Sequence, residues 1–195
     1  MRRSPALTPR RLAALVSILA AAALALAAPM PVPARQDEQV VTAKGLISRS
    51  AVRPGETFRA ALVLEIRSGY HINDSAPLDE FMIPTALAFV ESPDFEIVEV
   101  AYPKGRRARF SYSEADLPIY DGEVVIGALV KAKDGLAPGT RSLRGTLTYQ
   151  ACDDEMCLPP NELAFEIAVP VTTTGDGADL HPEVFAQLSF ASLGK

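Results

Sequence analysis

The chain has 195 residues and a formal net charge of -5, and its longest apolar stretch lies near the amino terminus, over residues 12–28. Later segments do not reach the length of a membrane-spanning helix. The sequence therefore excludes a polytopic membrane protein, and its acidic charge argues against nucleic acid or an anionic membrane as a partner.

Residues 1–27 have the layout of a secretory signal peptide. Four arginines precede an uncharged apolar segment, and Ala25-Leu26-Ala27 forms a cleavage pattern. A membrane anchor is the alternative, but the apolar span is slightly short and rich in alanine. We therefore expect export with cleavage, which leaves no stable membrane insertion. Residues 28–38 follow as a Pro-rich flexible leader.

From residue 39 to residue 171 the apolar pattern has a period of two, which is typical of β-strands. The alternation is clearest over residues 58–66 and 143–149, and residues 123–130 form a more continuous apolar run. Turn residues separate roughly seven to nine such segments, without the helices that a βαβ fold needs. We predict an all-β antiparallel sandwich over residues 39–171.

Residues 172–195 are predicted to form a linker and a C-terminal tail. Residues 172–180 are polar and contain two glycines. Residues 182–190 are expected to form a short helix, because Pro182 suits a first helical turn.

Motifs with known chemistry are few in this chain. The P-loop, zinc-protease and nucleophile-elbow patterns are absent, and His71 and His181 are its only histidines. A multi-histidine metal centre within one chain is thus excluded, and we expect no metal and no other cofactor. We interpret His71 as a hydrogen-bonded strand or loop residue in preference to a general base, and His181 as a solvated tail residue.

Cys152 and Cys157 are the only cysteines, and in an exported protein so close a pair can oxidise to a disulfide. So short a loop gives a stabilisation of about 2 kcal/mol, which a domain of this size does not need. The residues alone leave open a structural staple and a redox centre. Binding of a soft metal by the cysteines and Met156 is a third, weaker interpretation.

Three acidic residues, Asp153, Asp154 and Glu155, lie between the cysteines. Nearby anions disfavour a thiolate, so we expect both thiol pKa values to lie at or above the ordinary value. Such a pair acts as an exchange partner whose disulfide is attacked, or whose dithiol is engaged by an activated site elsewhere.

Residues 149–152 (YQAC) and 157–160 (CLPP) together give the pattern Y-Q-x-C…C-x-P-P. This pattern resembles the redox loop of the N-terminal (alpha) domain of the bacterial thiol:disulfide interchange protein DsbD. Residues 69–85 and 102–123 agree with that family in order and spacing, and the resemblance covers about residues 40–171. The best-known members have one residue more between the cysteines.

The resemblance implies an immunoglobulin-like sandwich in the periplasm. It also implies electron transfer from a membrane-embedded or thioredoxin-like disulfide reductase, here acting in trans, to periplasmic thiol proteins such as disulfide isomerases and the thioredoxins of cytochrome c maturation. Cys157 would form the mixed disulfides and Cys152 would resolve them. The chain would thus be one component of a protein-disulfide reductase relay.

The resemblance further implies a cap loop over about residues 106–119 that shields the cysteines. Phe110 and Tyr112 are its candidate aromatics, and His71 and Tyr149 are expected to surround the pair. The alternative is a non-enzymatic binding or adaptor sandwich with a structural disulfide, which predicts a reduction potential below about −300 mV.

Overall fold

The computed structural model describes residues 39–78 and 81–193. The predicted signal peptide over residues 1–27 and the predicted leader over residues 28–38 lie outside the described residues, and both stay predictions. Within the described part, the regular structure is β-strand apart from a helix, α1 (Pro182–Phe185), and a 3-10 turn (Ala191–Leu193).

The described residues form eleven strands, and every ladder between them is antiparallel. In chain order they are β1 (Val41–Ile47), β2 (Thr57–Ile66), β3 (His71–Asn73), β4 (Ala86–Phe89), β5 (Phe95–Ala101), β6 (Arg106–Ala108), β7 (Leu117–Tyr120), β8 (Glu123–Ala132), β9 (Gly139–Tyr149), β10 (Ala151–Cys152) and β11 (Asn161–Val171).

Two of the three sheets form the sandwich. One has the strand order β1-β2-β8-β5 and the other has the order β11-β9-β4. When these strands are lettered in chain order, the sheets read A-B-E-D and G-F-C, which is the arrangement of an immunoglobulin constant-type domain. The prediction of an all-β, immunoglobulin-like antiparallel sandwich is therefore confirmed.

The core lies between these two sheets and follows from the period-two pattern. Alternate residues of β2, from Phe58 to Ile66, are buried. Leu64 packs in one cluster with Leu147 of β9, and Phe58 packs in another with Ile167 of β11. Because successive side chains of a strand point to opposite faces, one row of apolar side chains can fill this layer.

The third sheet has the order β10-β3-β7-β6 and is built from insertions into the sandwich. Strand β3 lies between the lettered strands B and C, β6 and β7 lie between D and E, and β10 lies between F and G. These strands have two to four residues each, which is too short for a period-two signal. This explains why the sequence predicted only roughly seven to nine strands.

The C-terminal segment covers the outer face of the four-stranded sheet. Phe185 of α1 is 1% exposed and packs with Val125, while Phe190 packs with Leu129. Strand β8 is therefore apolar on both faces, which accounts for the continuous run over residues 123–130. The helix has four residues and is thus shorter than the segment 182–190 in which it was expected.

Candidate functional site

The two cysteines lie at the free edge of the inserted sheet and are disulfide-bonded. Cys152 is the last residue of β10. It forms an isolated antiparallel β-bridge with Cys157, and the Cα atoms of the two cysteines are 3.9 Å apart. The intervening residues 153–156 form a tight bend, which we call the redox loop. Strand β10 pairs with β3 on its other side, so the loop projects from a paired strand.

The bend of the redox loop is set by Asp153. Its carboxylate accepts hydrogen bonds from the backbone N–H groups of Glu155 and Met156, both at 2.8 Å. Its own N–H donates to the carbonyl oxygen of Met156 at 3.0 Å. The N–H groups of Glu155 and Met156 hold the pKa of Asp153 below its ordinary value. Asp153 therefore folds the loop as well as adding charge to it.

Residues outside the loop hold its two ends together. The N–H of Leu158 donates to the carbonyl oxygen of Ala151 at 2.8 Å, and the side-chain amide of Gln150 donates to the carbonyl oxygen of Leu158 at 3.2 Å. The Leu158 side chain packs against the core. The base of the hairpin is thus fixed by contacts that do not involve sulfur.

The two cysteines differ in their access to solvent. Cys152 is 0% exposed, whereas Cys157 is an exposed residue at the surface of the loop. Met156, immediately before Cys157, is 61% exposed. The disulfide therefore joins one buried and one exposed residue.

His71 lies directly opposite Cys152 in the ladder between β3 and β10. Its ring stacks on that of Phe110, with centroids 4.0 Å apart and planes 14° apart, and Phe110 stacks on Tyr112 at 5.3 Å. The His71 Nε2 atom lies 2.8 Å from the hydroxyl oxygen of Tyr112. Both predicted cap aromatics are thus brought onto a residue adjacent to the buried cysteine.

The predicted cap loop, about residues 106–119, runs from β6 through the connection 109–116 into β7, and its two aromatics lie in that connection. It also contacts the redox loop directly, because the Ser111 hydroxyl donates to the carbonyl oxygen of Asp154 at 2.9 Å. At the base of the cap loop, the Arg107 guanidinium donates to the carbonyl oxygen of Asp116 at 3.1 Å. The cap loop and the redox loop therefore lie against each other.

The surroundings lower the pKa of His71 and raise the pKa of Tyr112. Burial lowers the pKa of His71, an effect that the charge of Asp154 partly opposes. Burial, together with Asp154 and Asp153, raises the pKa of Tyr112 to about 12. His71 is therefore neutral at neutral pH, and Tyr112 keeps its proton.

Tyr149 lies beneath the site, at the end of β9, where it is 3% exposed and part of the core. Burial raises its pKa. Its place among the residues that surround the cysteines stays a prediction. His181 lies in the C-terminal segment and is the only described residue other than glycine with a positive φ, 52°.

Sequence reasoning did not single out a hydrogen-bond network that joins β3, residues 83–85 and Gln150. The Asn73 amide of β3 donates to the carbonyl oxygen of Ile83 at 2.9 Å and lies 3.5 Å from the Gln150 side-chain oxygen. Thr85, 1% exposed, donates to the carbonyl oxygen of Asn73 at 2.5 Å. Gln150 belongs to the Y-Q-x-C pattern, so a signal for one member was present.

Residues 39–78 and 81–193, which the structure describes, lack a metal cluster and a membrane-spanning helix. They contain no group of three or more His, Cys, Asp or Glu side chains placed to hold a metal ion. They also contain no helix long and apolar enough to cross a membrane.

Comparison with known proteins gives one family match. The family described as "Thiol:disulfide interchange protein DsbD, N-terminal" matches over residues 37–168. No curated protein sequence matches the chain.

Among solved structures, the N-terminal periplasmic domain of ScsB from Proteus mirabilis is similar, with a TM-score of 0.50 and 14% identity. The match covers 78% of this chain and 56% of that one, so this chain spans little more than half of the ScsB domain. At this identity the likeness shows the fold alone.

Two further structures are more distant. A family 123 glycoside hydrolase from Clostridium perfringens has a TM-score of 0.31 and 13% identity, covering 70% of this chain and 28% of that one. AvmM, which catalyses macrocyclization in alchivemycin A biosynthesis, has a TM-score of 0.28 and 10% identity, covering 70% and 92%. Scores this low carry no argument about function.

Proposed function

The chain belongs to the family of DsbD N-terminal domains, and from that membership we propose that it passes electrons between a disulfide reductase and other thiol proteins through Cys152 and Cys157. The reductase is membrane-embedded or thioredoxin-like, and the acceptors are periplasmic thiol proteins. The family and the periplasmic origin of the ScsB domain support a periplasmic location.

The unequal exposure of the two cysteines is the observation that carries this proposal. Thiol–disulfide exchange needs an attacking thiolate to approach one sulfur along the axis of the S–S bond. Cys157 is exposed and Cys152 is 0% exposed, so the two sulfurs are not equivalent targets. A bridge that served only to hold the bend would need no accessible sulfur.

In the proposed reaction, a thiolate of the reductase attacks Cys157 Sγ. A new S–S bond joins Cys157 to the reductase, and the bond to Cys152 breaks, releasing Cys152 as a thiolate that takes up a proton. A second thiol of the reductase then displaces Cys157, and the domain is left with two thiols. Electron transfer to an acceptor disulfide reverses these steps, with Cys157 attacking and Cys152 resolving.

The cap loop has a supporting part in this proposal. Phe110 and Tyr112 stack over His71, and Ser111 bonds to the redox loop, so the loop covers the side of the disulfide that Cys152 occupies. We propose that this loop moves aside when a partner docks. We expect His71, which lies opposite Cys152 in the ladder, and Tyr149, which lies in the core, to complete the surroundings of the pair.

Trapping of mixed disulfides tests the proposal. The Cys152→Ala variant keeps the accessible cysteine but cannot resolve, so it should accumulate covalent adducts with thioredoxin-like proteins in a periplasmic extract. The matched control, Cys157→Ala, keeps only the buried cysteine and should form far fewer adducts. Absence of adducts with C152A would contradict the proposal.

The reduction potential separates this function from the alternative of a structural disulfide. A relay between thioredoxin-like proteins requires a potential in their range, from about −270 to −120 mV, whereas structural bridges lie below about −300 mV. Equilibration of the Cys152–Cys157 pair with a thiol redox buffer gives this value. A potential in the structural range would support the binding or adaptor interpretation instead.

A further inference from the structure

Opening the disulfide creates an unfavourable charge on Cys152. This residue is 0% exposed, so its thiolate would form away from water. A buried anion without a proton or a counter-charge is strongly disfavoured. The next residues, Asp153 and Asp154, add negative charge on the same loop. The sulfur of Cys152 therefore needs a proton from a group inside the protein.

His71 is in the position to supply that proton. Residues directly opposite each other in an antiparallel ladder have side chains on the same face, with Cβ atoms about 4.5–5.5 Å apart. His71 and Cys152 are such a pair, and His71 is 4% exposed. The titratable and charged groups that act on the ring are Tyr112 of the cap loop, Arg106 of β6, Asp121 after β7, and Asp153 and Asp154 of the redox loop.

The surroundings hold the imidazole in place in both of its protonation states. Phe110 stacks on one face, and the Tyr112 hydroxyl lies 2.8 Å from Nε2. A phenol hydroxyl can donate to an unprotonated nitrogen or accept from a protonated one. The contact between Tyr112 and His71 can therefore persist when the ring gains or loses a proton.

We propose that His71 carries the proton of Cys152 during thiol exchange, as a catalytic acid and base, and that Tyr112 positions its ring. This inference rests on the proposed exchange at Cys157. On reduction, the S–S bond to Cys152 breaks and the sulfur leaves with the electron pair. His71, after taking up a proton from water, gives that proton to the sulfur. On oxidation, neutral His71 accepts the thiol proton of Cys152, whose thiolate displaces the partner's sulfur from Cys157.

Two features of the site favour this exchange of protons. Burial lowers the pKa of His71, so the ring is neutral and able to accept a proton at neutral pH. Asp154 and Asp153 act in the opposite sense and favour the imidazolium that the transfer produces. The acidic loop, which disfavours a lone thiolate, thus favours a thiolate paired with a protonated histidine.

The step in which Cys152 re-forms the disulfide with Cys157, which we call closure, can be measured by itself. Reduced protein is mixed with one equivalent of the aromatic disulfide DTNB, which releases one coloured thiolate as Cys157 is modified and a second when Cys152 closes the disulfide. In the wild type, the rate of the second phase should rise with pH through the lowered pKa of His71 and then level off. In H71Q it should follow ionisation of the thiol alone and be slower at neutral pH by at least about tenfold.

Control variants separate this role from a structural one. H181Q makes the same substitution at the other histidine and should keep the wild-type profile. Y112F should be slower but should keep the rise at the His71 pKa, because the base is still present. An H71Q profile identical to that of the wild type would overturn the inference.

The wild-type protein provides a second test if H71Q does not fold. Titration of the His71 ring by NMR, assigned with H181Q, gives its pKa, and the rise in closure rate must occur at that pH. A rise at another pH, or none, would refute the role of His71. Failure of the wild type to close at any pH would refute the proposed exchange function as well, whereas closure without the His71 signature refutes only the inference.

Discussion

Replacing Phe110 by alanine should accelerate reduction of the disulfide by a small thiol. Phe110 is half-buried and holds the cap loop over His71 through a stacked contact of 4.0 Å, continued to Tyr112 at 5.3 Å. Without this ring, the cap loop loses its stacked contact with His71 of β3, while the redox loop keeps its own hydrogen bonds. The open cap should therefore be populated more often.

The size of the effect follows from the energy of a stacked pair. Such a pair contributes about 0.5–1.5 kcal/mol beyond the area that it buries. Since about 1.4 kcal/mol corresponds to a factor of ten, loss of one pair raises the population of the open cap about two- to twelvefold. Cys157 is exposed with the cap in place, so the cap acts on the buried Cys152. If the Cys152 sulfur leaves only from the open form, the rate of reduction through attack on Cys157 rises by the same factor.

The assay is the pseudo-first-order rate of reduction by dithiothreitol at fixed pH. F110A and its control variant must first be shown to be folded. Phe89→Ala is a suitable control, because Phe89 forms an aromatic pair with Phe165 in the sandwich, with centroids 5.6 Å apart. It should leave the rate unchanged even if it lowers stability. A rate for F110A equal to or below that of the wild type would show that this loop does not limit reduction of the disulfide.

Three further predictions concern stability. Asp153→Asn should remove the share of Asp153 in the acid-dependent stability of the oxidised protein. Because the pKa of Asp153 is lowered on folding, its contribution is present above its unfolded pKa and is lost as the pH falls through the folded value. Urea midpoints of D153N should therefore change less between neutral and acid pH than those of the wild type. Phe185→Ala should lower the free energy of unfolding by about 3–5 kcal/mol, because Phe185 is 1% exposed, whereas Leu193→Ala, at a position 59% exposed, should have little effect; similar urea midpoints would contradict the packing of the tail. Gly145→Ala should cost about 1–3 kcal/mol, because a Cβ on Gly145 would overlap the backbone carbonyl oxygen of Ala88 on β4. Thermal unfolding equal to that of the wild type would show that β4 can shift freely.

The sandwich was predictable from the sequence because its strands are long. Strands β2 and β9 have ten and eleven residues, enough for a period of two to be visible. Strands β3 and β10 have three and two residues, and they exist because their neighbours in space pair with them. The packing of the C-terminal segment on the sheet could not be predicted from the sequence. Its helix has only four residues, too few to show an apolar face, although it carries the buried Phe185.

The sequence singled out candidate residues for the site but not the contacts among them. The cysteines follow from their rarity and spacing, and the family pattern gave His71, Phe110 and Tyr112 as neighbours of the pair. Their stacking joins residues about forty positions apart, for which no local pattern exists. The bond from Ser111 to the redox loop is of the same kind, since nothing near a serine indicates a distant carbonyl partner.

The hairpin that carries the disulfide is also held by contacts that do not involve sulfur. These are the ladder from β10 to β3, the bond from Leu158 to Ala151 and the Asp153 turn, and we expect them to remain when the sulfurs are reduced. The reduced cysteines then stay close, so closure is an intramolecular step with a high effective concentration of one thiol near the other. A scaffold that needs no bridge for its shape can open and close that bridge without unfolding, which a redox carrier requires and a structural staple does not.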